Sequence, residues 1–332
     1  MSDHELTGRT QRTTRSPIMT ESPTVTETRY IRFVDLRADQ PDLPKWGRAA
    51  GAPQPRDTPL VVSVSDRRTP RPSDPTVVFL HNGGSNRLVW NAVIELLPPN
   101  IRTVAVDLPG YGESDAPRSG FRRIDYTDIL EALLDERVPD DNKVILVGNC
   151  MGAAFSWTLT MRRPDRIGAL VLVNPLTEQT ARRGTWGRLV PLAYRFDLGR
   201  LLGPLKLPRF LGWLSLVPQL GIIGMRRSAW RNREISKQWS DSGRLRPILA
   251  LFHDIRGYSE LDQFQRPAVW PWTAMIWGSA NWALSPRAGA GLATGLRPER
   301  NVVLAGAGHL AMLESPSEIA QVVSEAIQAA QG

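Results

Sequence analysis

The chain of 332 residues holds one cysteine, and its surroundings suit a nucleophile. Cys150 stands in Gly148-Asn149-Cys150-Met151-Gly152, after the apolar run Val144 to Val147 and before a helical pattern reaching Arg163. That spacing outlines a nucleophile elbow, a strained strand-to-helix turn whose flanking glycines let the backbone fold tightly enough to push the central side chain out over a sheet. A helix beginning at Met151 aims free N–H groups at the sulfur, which favours the thiolate, and the N–H of Met151 itself can donate to an oxyanion. The sequence therefore predicts a reactive thiol of low pKa. The competing reading is a small apolar residue buried after a strand.

Other chemistry finds little support in the residue pattern. A single cysteine rules out an intramolecular disulfide, and no Cys/His cluster has metal-ligand spacing. The glycine patterns form neither a P-loop nor a Gly-x-Gly-x-x-Gly at a strand-helix junction, so no metal or organic cofactor is expected.

The elements that position the cysteine can be read along the chain. Arg29 to Leu36 and Leu60 to Asp66 predict two strands with an antiparallel start, joined by a Pro/Gly-rich loop over 39–59. Thr76 to Leu80 is unbroken apolar sequence, as in a strand buried on both faces, and runs into His81-Asn82-Gly83-Gly84. A helical stretch from Leu88 to Leu97, a strand from Thr103 to Val106, the loop Asp107 to Ser114 and a helix from Ile124 to Arg137 lead to the elbow strand. A further strand, Ala169 to Val173, follows the elbow helix. This alternation predicts an α/β fold with a mostly parallel sheet covered by helices.

The strand pattern then stops until Trp272 to Gly278. The residues between are helix-like and interrupted by Pro191, Pro204, Pro208, Pro218 and Pro247, so they predict an insertion. Within it, Leu207 to Gly224 carries one charge, Arg209, among Phe210, Trp213 and several Leu and Ile. Packing on the main domain and lining a lipophilic tunnel both fit this stretch; membrane-surface docking is a third reading.

At this point the residues resemble the α/β-hydrolase family. The resemblance rests on four landmarks in order: His81-Asn82-Gly83-Gly84, the Asp107-x-x-Gly110-x-Gly112-x-Ser114 loop, the elbow, and Gly306-Ala307-Gly308-His309 after the strand Asn301 to Ala305. It implies an eight-stranded α/β-hydrolase core from 29–175 and 270–332, a helical cap over 176–269, and a separate tail over 1–28, whose Thr, Ser, Glu and Arg content suggests disorder. It also implies roles. Gly83 would join Met151 in the oxyanion hole, His309 would be the base, and the orienting acid would fall at Asn281 in Gly278-Ser279-Ala280-Asn281. Asn281 stands where the family has aspartate. A cysteine depends less on that carboxylate than a serine does, and Cys-His-Asn is a working set elsewhere. Glu178, after the sixth strand, is the alternative acid. The Asp107 to Ser114 loop is assigned no chemistry.

The implied function is cleavage or transfer of an acyl group from an ester, thioester or lactone through a thioester on Cys150. Non-hydrolytic members of the fold, such as lyases or cofactor-independent oxygenases, are the alternative, as is a decayed ligand-binding protein. The net charge of +8 sits in the insertion, where 176–270 carry fourteen Arg and two Lys against seven Asp and Glu. These arginines are scattered among Leu, Trp and Pro rather than gathered in a basic block, which argues against nucleic acid and suggests an acyl group carried on CoA or an acyl carrier protein. The alternative for them is a solvated face. No apolar run of about 18 residues and no signal-peptide pattern occurs, so a cytoplasmic protein without stable membrane insertion is expected, with Met19 an alternative start to Met1.

Overall fold

The computed structural model describes residues 25–32, 59–67, 75–116, 121–140, 142–185, 187, 205, 208–236 and 245–332. Eight strands form one sheet: β1 Val25–Arg32, β2 Pro59–Arg67, β3 Thr76–Leu80, β4 Arg102–Val106, β5 Val144–Asn149, β6 Ile167–Val173, β7 Trp272–Gly278 and β8 Arg300–Leu304. Their order is β1-β2-β4-β3-β5-β6-β7-β8. β2 pairs antiparallel with β1 and β4, and every later pairing is parallel. β1 begins at Val25, earlier than the expected Arg29 and inside the segment read as tail. Residues 1–24 and 33–58, and with them the rest of that tail, the predicted end of the first strand and nearly all of the loop after it, lie outside the described residues.

Side-chain alternation on the buried strands builds two cores. Val78, Leu80, Leu146, Leu170 and Leu172 point to one face, where helices Arg123–Arg137 and Met151–Arg162 cover them. Val77, Phe79, Ile145, Val147, Val171 and Val173 point to the other, under Trp90, Val93 and the C-terminal helix Pro316–Gln331. Such two-sided burial is why β3, β5 and β6 read as apolar runs rather than as alternating patterns. The switch from β4 to β3 to β5 opens a crevice at the carboxyl ends of the strands, the position where ligands bind in open α/β sheets.

Between β6 and β7 every described element is helical. Short turns cover Glu178–Arg182, Arg209–Ser215, Val217–Gln219, Ile222–Arg226 and Ala229–Arg231, followed by the helix Leu245–His253. Residues 188–204, including Pro191 and Pro204, lie outside the described residues. Among the described residues no helix is long and apolar enough to cross a membrane.

Candidate active site

Cys150 ends β5 and caps the helix Met151–Arg162 with φ 55° and ψ −114°, a conformation that costs a non-glycine residue on the order of 1–3 kcal/mol. The two flanking glycines make that turn feasible. A side chain at Gly148 would strike the backbone of Gly152, and one at Gly152 would strike the carbonyls of Leu80 and His81. The elbow helix can thus press against the end of β3, which carries the loop 81–84.

That contact brings two backbone donors to one sulfur. The N–H groups of Met151 and Gly83 both hydrogen-bond Cys150. Gly83 is held by its neighbour: the Asn82 amide donates to the Gly83 carbonyl at 2.9 Å and accepts from Ser85 Oγ at 2.6 Å. Asn82 also donates to Oε1 of Gln219, a cap residue, at 2.7 Å. An asparagine at this position therefore ties the loop 81–84 to the turn Val217–Gln219.

Burial overrides the helix terminus at the thiol. Cys150 is 5% exposed, and loss of solvent pushes its pKa up to about 12 against the pull of the two N–H groups. The expectation of a low-pKa thiolate is corrected on this point: the resting group is a neutral thiol, because a dry apolar wall outweighs two amide dipoles. Two tyrosines share the setting. The hydroxyls of Tyr111 and Tyr258 are buried without a hydrogen-bond partner, and burial pushes the pKa of each phenol up. Tyr111 belongs to the loop that the sequence left without chemistry.

His309 lies in the loop after β8 and shares a cavity with Cys150. Its ring is buried, and desolvation alone lowers its pKa to about 4, so it is neutral at pH 7. The loop is fixed from three sides. The His309 N–H donates to the Gln219 carbonyl at 2.8 Å, and the His309 carbonyl accepts from the amides of Asn149 at 3.1 Å and Asn174 at 3.2 Å. Glu314 completes the arrangement: its buried carboxylate accepts from the N–H of cap residue Gly221 at 2.6 Å and from that of Gly308 at 2.5 Å. Gly221 and Gly308 pack so closely that a side chain on either would strike the other's backbone.

The third position differs from expectation. Asn281 is buried, but its Oδ1 accepts from the Leu284 N–H at 3.1 Å and its Nδ2 has no partner. Nδ1 of His309 has none either, so no hydrogen bond orients the ring through that nitrogen. Glu178 is paired with Arg182 at 2.6 Å one helical turn away and is likewise not bonded to His309 Nδ1. The structure thus brings Cys150, Gly83 and His309 to one cavity, with the Met151 N–H directed at the Cys150 sulfur, and leaves Asn281 and Glu178 engaged with other partners.

The cavity holds about 380 Å³. Among the described residues Leu176, Leu214, Ile248, Leu251, Phe252 and Leu284 form most of its wall, with Ser215, Gln219 and His309 as polar side chains besides the thiol and no arginine. Among the described residues no group of three or more His, Cys, Asp or Glu could hold a metal ion.

Sequence reasoning missed Gln219, Glu314 and Tyr111. Gln219 is the one polar residue between Leu216 and Ile222, and Glu314 is the one charge in Leu310-Ala311-Met312-Leu313-Glu314. A lone polar residue in an apolar run is the signal that could have flagged both.

The profile of the alpha/beta hydrolase family matches residues 77–322. A haloalkane dehalogenase of Mesorhizobium japonicum is 34% identical over 125 residues, covering 38% of this chain and 40% of the relative. A 2-hydroxy-6-oxononadienedioate/2-hydroxy-6-oxononatrienedioate hydrolase of Escherichia coli is 35% identical over 106 residues, covering 30% of this chain and 36% of the relative. Both matches thus span well under two thirds of the relative's length. Among solved structures, an esterase from Thermogutta terrifontis aligns with a TM-score of 0.67 at 18% identity over 84% of this chain and 97% of its own. The enol-lactonase from Burkholderia xenovorans aligns at 0.64 and 19% identity over 81% and 97%. At these identities the likeness is one of fold.

Proposed function

Because the chain belongs to the alpha/beta hydrolase family, we propose that it cleaves or transfers an apolar acyl group from an ester, thioester or lactone through a thioester on Cys150. The observation that carries this reading is the convergence of the Gly83 and Met151 N–H groups on the Cys150 sulfur in a cavity shared with His309.

The cycle begins with a neutral thiol and a neutral imidazole. His309 takes the thiol proton as Sγ attacks the carbonyl carbon, and the carbonyl electron pair moves to oxygen, where the two N–H groups receive it. Collapse expels the alcohol or thiol leaving group, which takes the proton back from His309. Water, or another nucleophile, then gives its proton to His309 and attacks the thioester, releasing the acyl group and restoring the thiol. Proton transfer concerted with attack suits a thiol of raised pKa, since no free thiolate has to form in the apolar pocket.

Asn281 would support the imidazolium through the second lone pair of Oδ1, the first being taken by Leu284. The acyl chain occupies the apolar cavity. Where the acyl group arrives on CoA or an acyl carrier protein, that carrier would rest outside the cavity.

Incubating the protein with activated esters and thioesters and measuring intact mass tests the reading: an acyl adduct on Cys150, absent from Cys150→Ala and discharged with time, is expected. The unpartnered Nδ1 of His309 favours a second reading, a non-hydrolytic enzyme or a ligand-binding protein of the same fold. Ligand binding and turnover without any Cys150 adduct would select it.

A further inference from the structure

The outer face of the cap combines two kinds of side chain that soluble surfaces keep apart. Trp213 (38% exposed), Leu214 (44%), Ile222 (53%) and Met225 (43%) are large and apolar, yet face solvent. In the same segment Arg226, Arg231 and Arg233 are exposed as well, and so is Arg227, which donates to the Glu314 carbonyl. From Pro208 to Ser236 the chain carries five arginines and one acidic residue, Glu234.

The pieces are packed together rather than scattered. The rings of Trp213 and Trp230 lie 5.8 Å apart, and the Arg231 guanidinium sits 4.9 Å from the Trp230 ring centre. The turn Ile222–Arg226 packs against Ala229–Arg231. On that turn Ile222, Met225 and Arg226 have the i, i+3, i+4 spacing of a single face. Leu214 belongs to both surfaces: it lines the cavity and is 44% exposed, so this face adjoins the cavity mouth.

We propose that this cap face docks on an anionic phospholipid surface and takes the acyl substrate directly from it. The inference rests on the acyl-transfer reading of the cavity and deepens it, naming a lipophilic, bilayer-borne ester as the substrate class. The arginines supply the charge complementary to anionic headgroups, and Trp, Leu, Ile and Met supply the area that enters the headgroup-acyl boundary. A soluble acidic carrier would be met by the arginines alone and would leave these apolar side chains in water. The cavity wall is as apolar as the chain it would receive, so a lipid tail could pass from bilayer to cavity beside Leu214 without crossing water. Docking of this kind is peripheral and needs no spanning helix.

The test separates docking from chemistry by using the full-length Cys150→Ala protein. Co-sedimentation is measured with vesicles of phosphatidylcholine alone and of phosphatidylcholine mixed with phosphatidylglycerol. Binding to the mixed vesicles, weaker by about tenfold on pure phosphatidylcholine and reduced by added salt, is expected. The Ile222→Ser/Met225→Ser and Arg226→Glu/Arg231→Glu variants should each lose most of that binding. Met225→Trp should strengthen it, a gain that a folding defect could not imitate. No binding to mixed vesicles overturns the proposal. So does binding that these variants leave unchanged, or a concentration-dependent dimer that the Ile222→Ser/Met225→Ser change abolishes. Failure here leaves adduct formation on Cys150 untouched, and failure of adduct formation leaves vesicle binding measurable, so the two readings fail separately.

Discussion

Gln219 of the cap accepts the backbone N–H of His309 through its carbonyl at 2.8 Å, while its side-chain Oε1 accepts from Asn82 at 2.7 Å. One residue of the turn Val217–Gln219 therefore touches both the loop that carries His309, the proposed base, and the loop that carries Gly83, the proposed oxyanion donor.

Gln219→Ala keeps the carbonyl link but removes the Asn82 link. It should cost about 1 kcal/mol of stability, because the Asn82 amide loses one of its two acceptors and keeps the Gly83 carbonyl. In steady-state kinetics kcat should fall more than KM changes, since the loosened Gly83 loop matters most when the oxyanion forms. An unchanged kcat with a lowered Tm would limit Gln219 to a structural role.

Glu314→Ala should be the more damaging change. It leaves the N–H groups of Gly221 and Gly308 buried without an acceptor, a loss on the order of 2–4 kcal/mol for two bonds to a carboxylate. Chemical denaturation should show that loss, and kcat should drop because Gly308 precedes His309. Full activity in a destabilised variant would show that Gln219, Asn149 and Asn174 suffice to hold the His309 loop.

The pH dependence follows from two shifted groups. His309, lowered to about 4, is neutral and able to act as a base down to that pH, so kcat should hold to about pH 5 and fall below it. The unfolded ring, near 6.5, binds its proton more readily than the folded one. This linkage is therefore stabilising above about pH 6.5 and is lost as pH falls toward 4. Cys150, raised to about 12, should resist iodoacetamide at pH 6–7 and react faster as pH rises past 9. Rapid alkylation at pH 6 would mean that the thiolate is stabilised after all.

Asn281→Asp separates the two candidates for the orienting group. If residue 281 orients the ring, a carboxylate there should raise the His309 pKa by about one unit or more, readable by NMR, and should leave catalysis intact. The double variant Cys150→Ser/Asn281→Asp should outperform Cys150→Ser, since a serine depends more on that carboxylate. If Glu178→Gln cripples turnover while Asn281→Ala spares it, the orienting role belongs after β6.

Leu251 and Ile248, from the helix Leu245–His253, line the cavity and set its length. Leu251→Trp should fill a sizeable part of the 380 Å³ and shift the preference toward shorter acyl chains in a chain-length series. An unaltered preference would place the acyl group elsewhere.

The sequence alone determined the order of elements and the position of the nucleophile. Burial on both faces writes β3, β5 and β6 as apolar runs, and a turn that admits no side chain at Gly148 or Gly152 writes Gly-x-Cys-x-Gly around Cys150. These are local constraints, satisfied within a few residues, so they are visible as pattern. The tertiary structure decided what the site is electrically and what holds it. The pKa of Cys150 depends on how much apolar wall closes over the sulfur, and much of that wall comes from Leu214, Ile248, Leu251, Phe252 and Ile255, all in the insertion and distant along the chain. The links from Gln219 to His309 and Asn82, and from Glu314 to Gly221 and Gly308, join segments distant in sequence or packed only through the fold. The partner of Asn281 was likewise undetermined, because an amide at the family's acid position can turn to the ring or to a nearer backbone N–H. Packing gave its oxygen to Leu284. Periodicity records which face of an element is buried, and it carries no information on which distant atom a buried polar group meets.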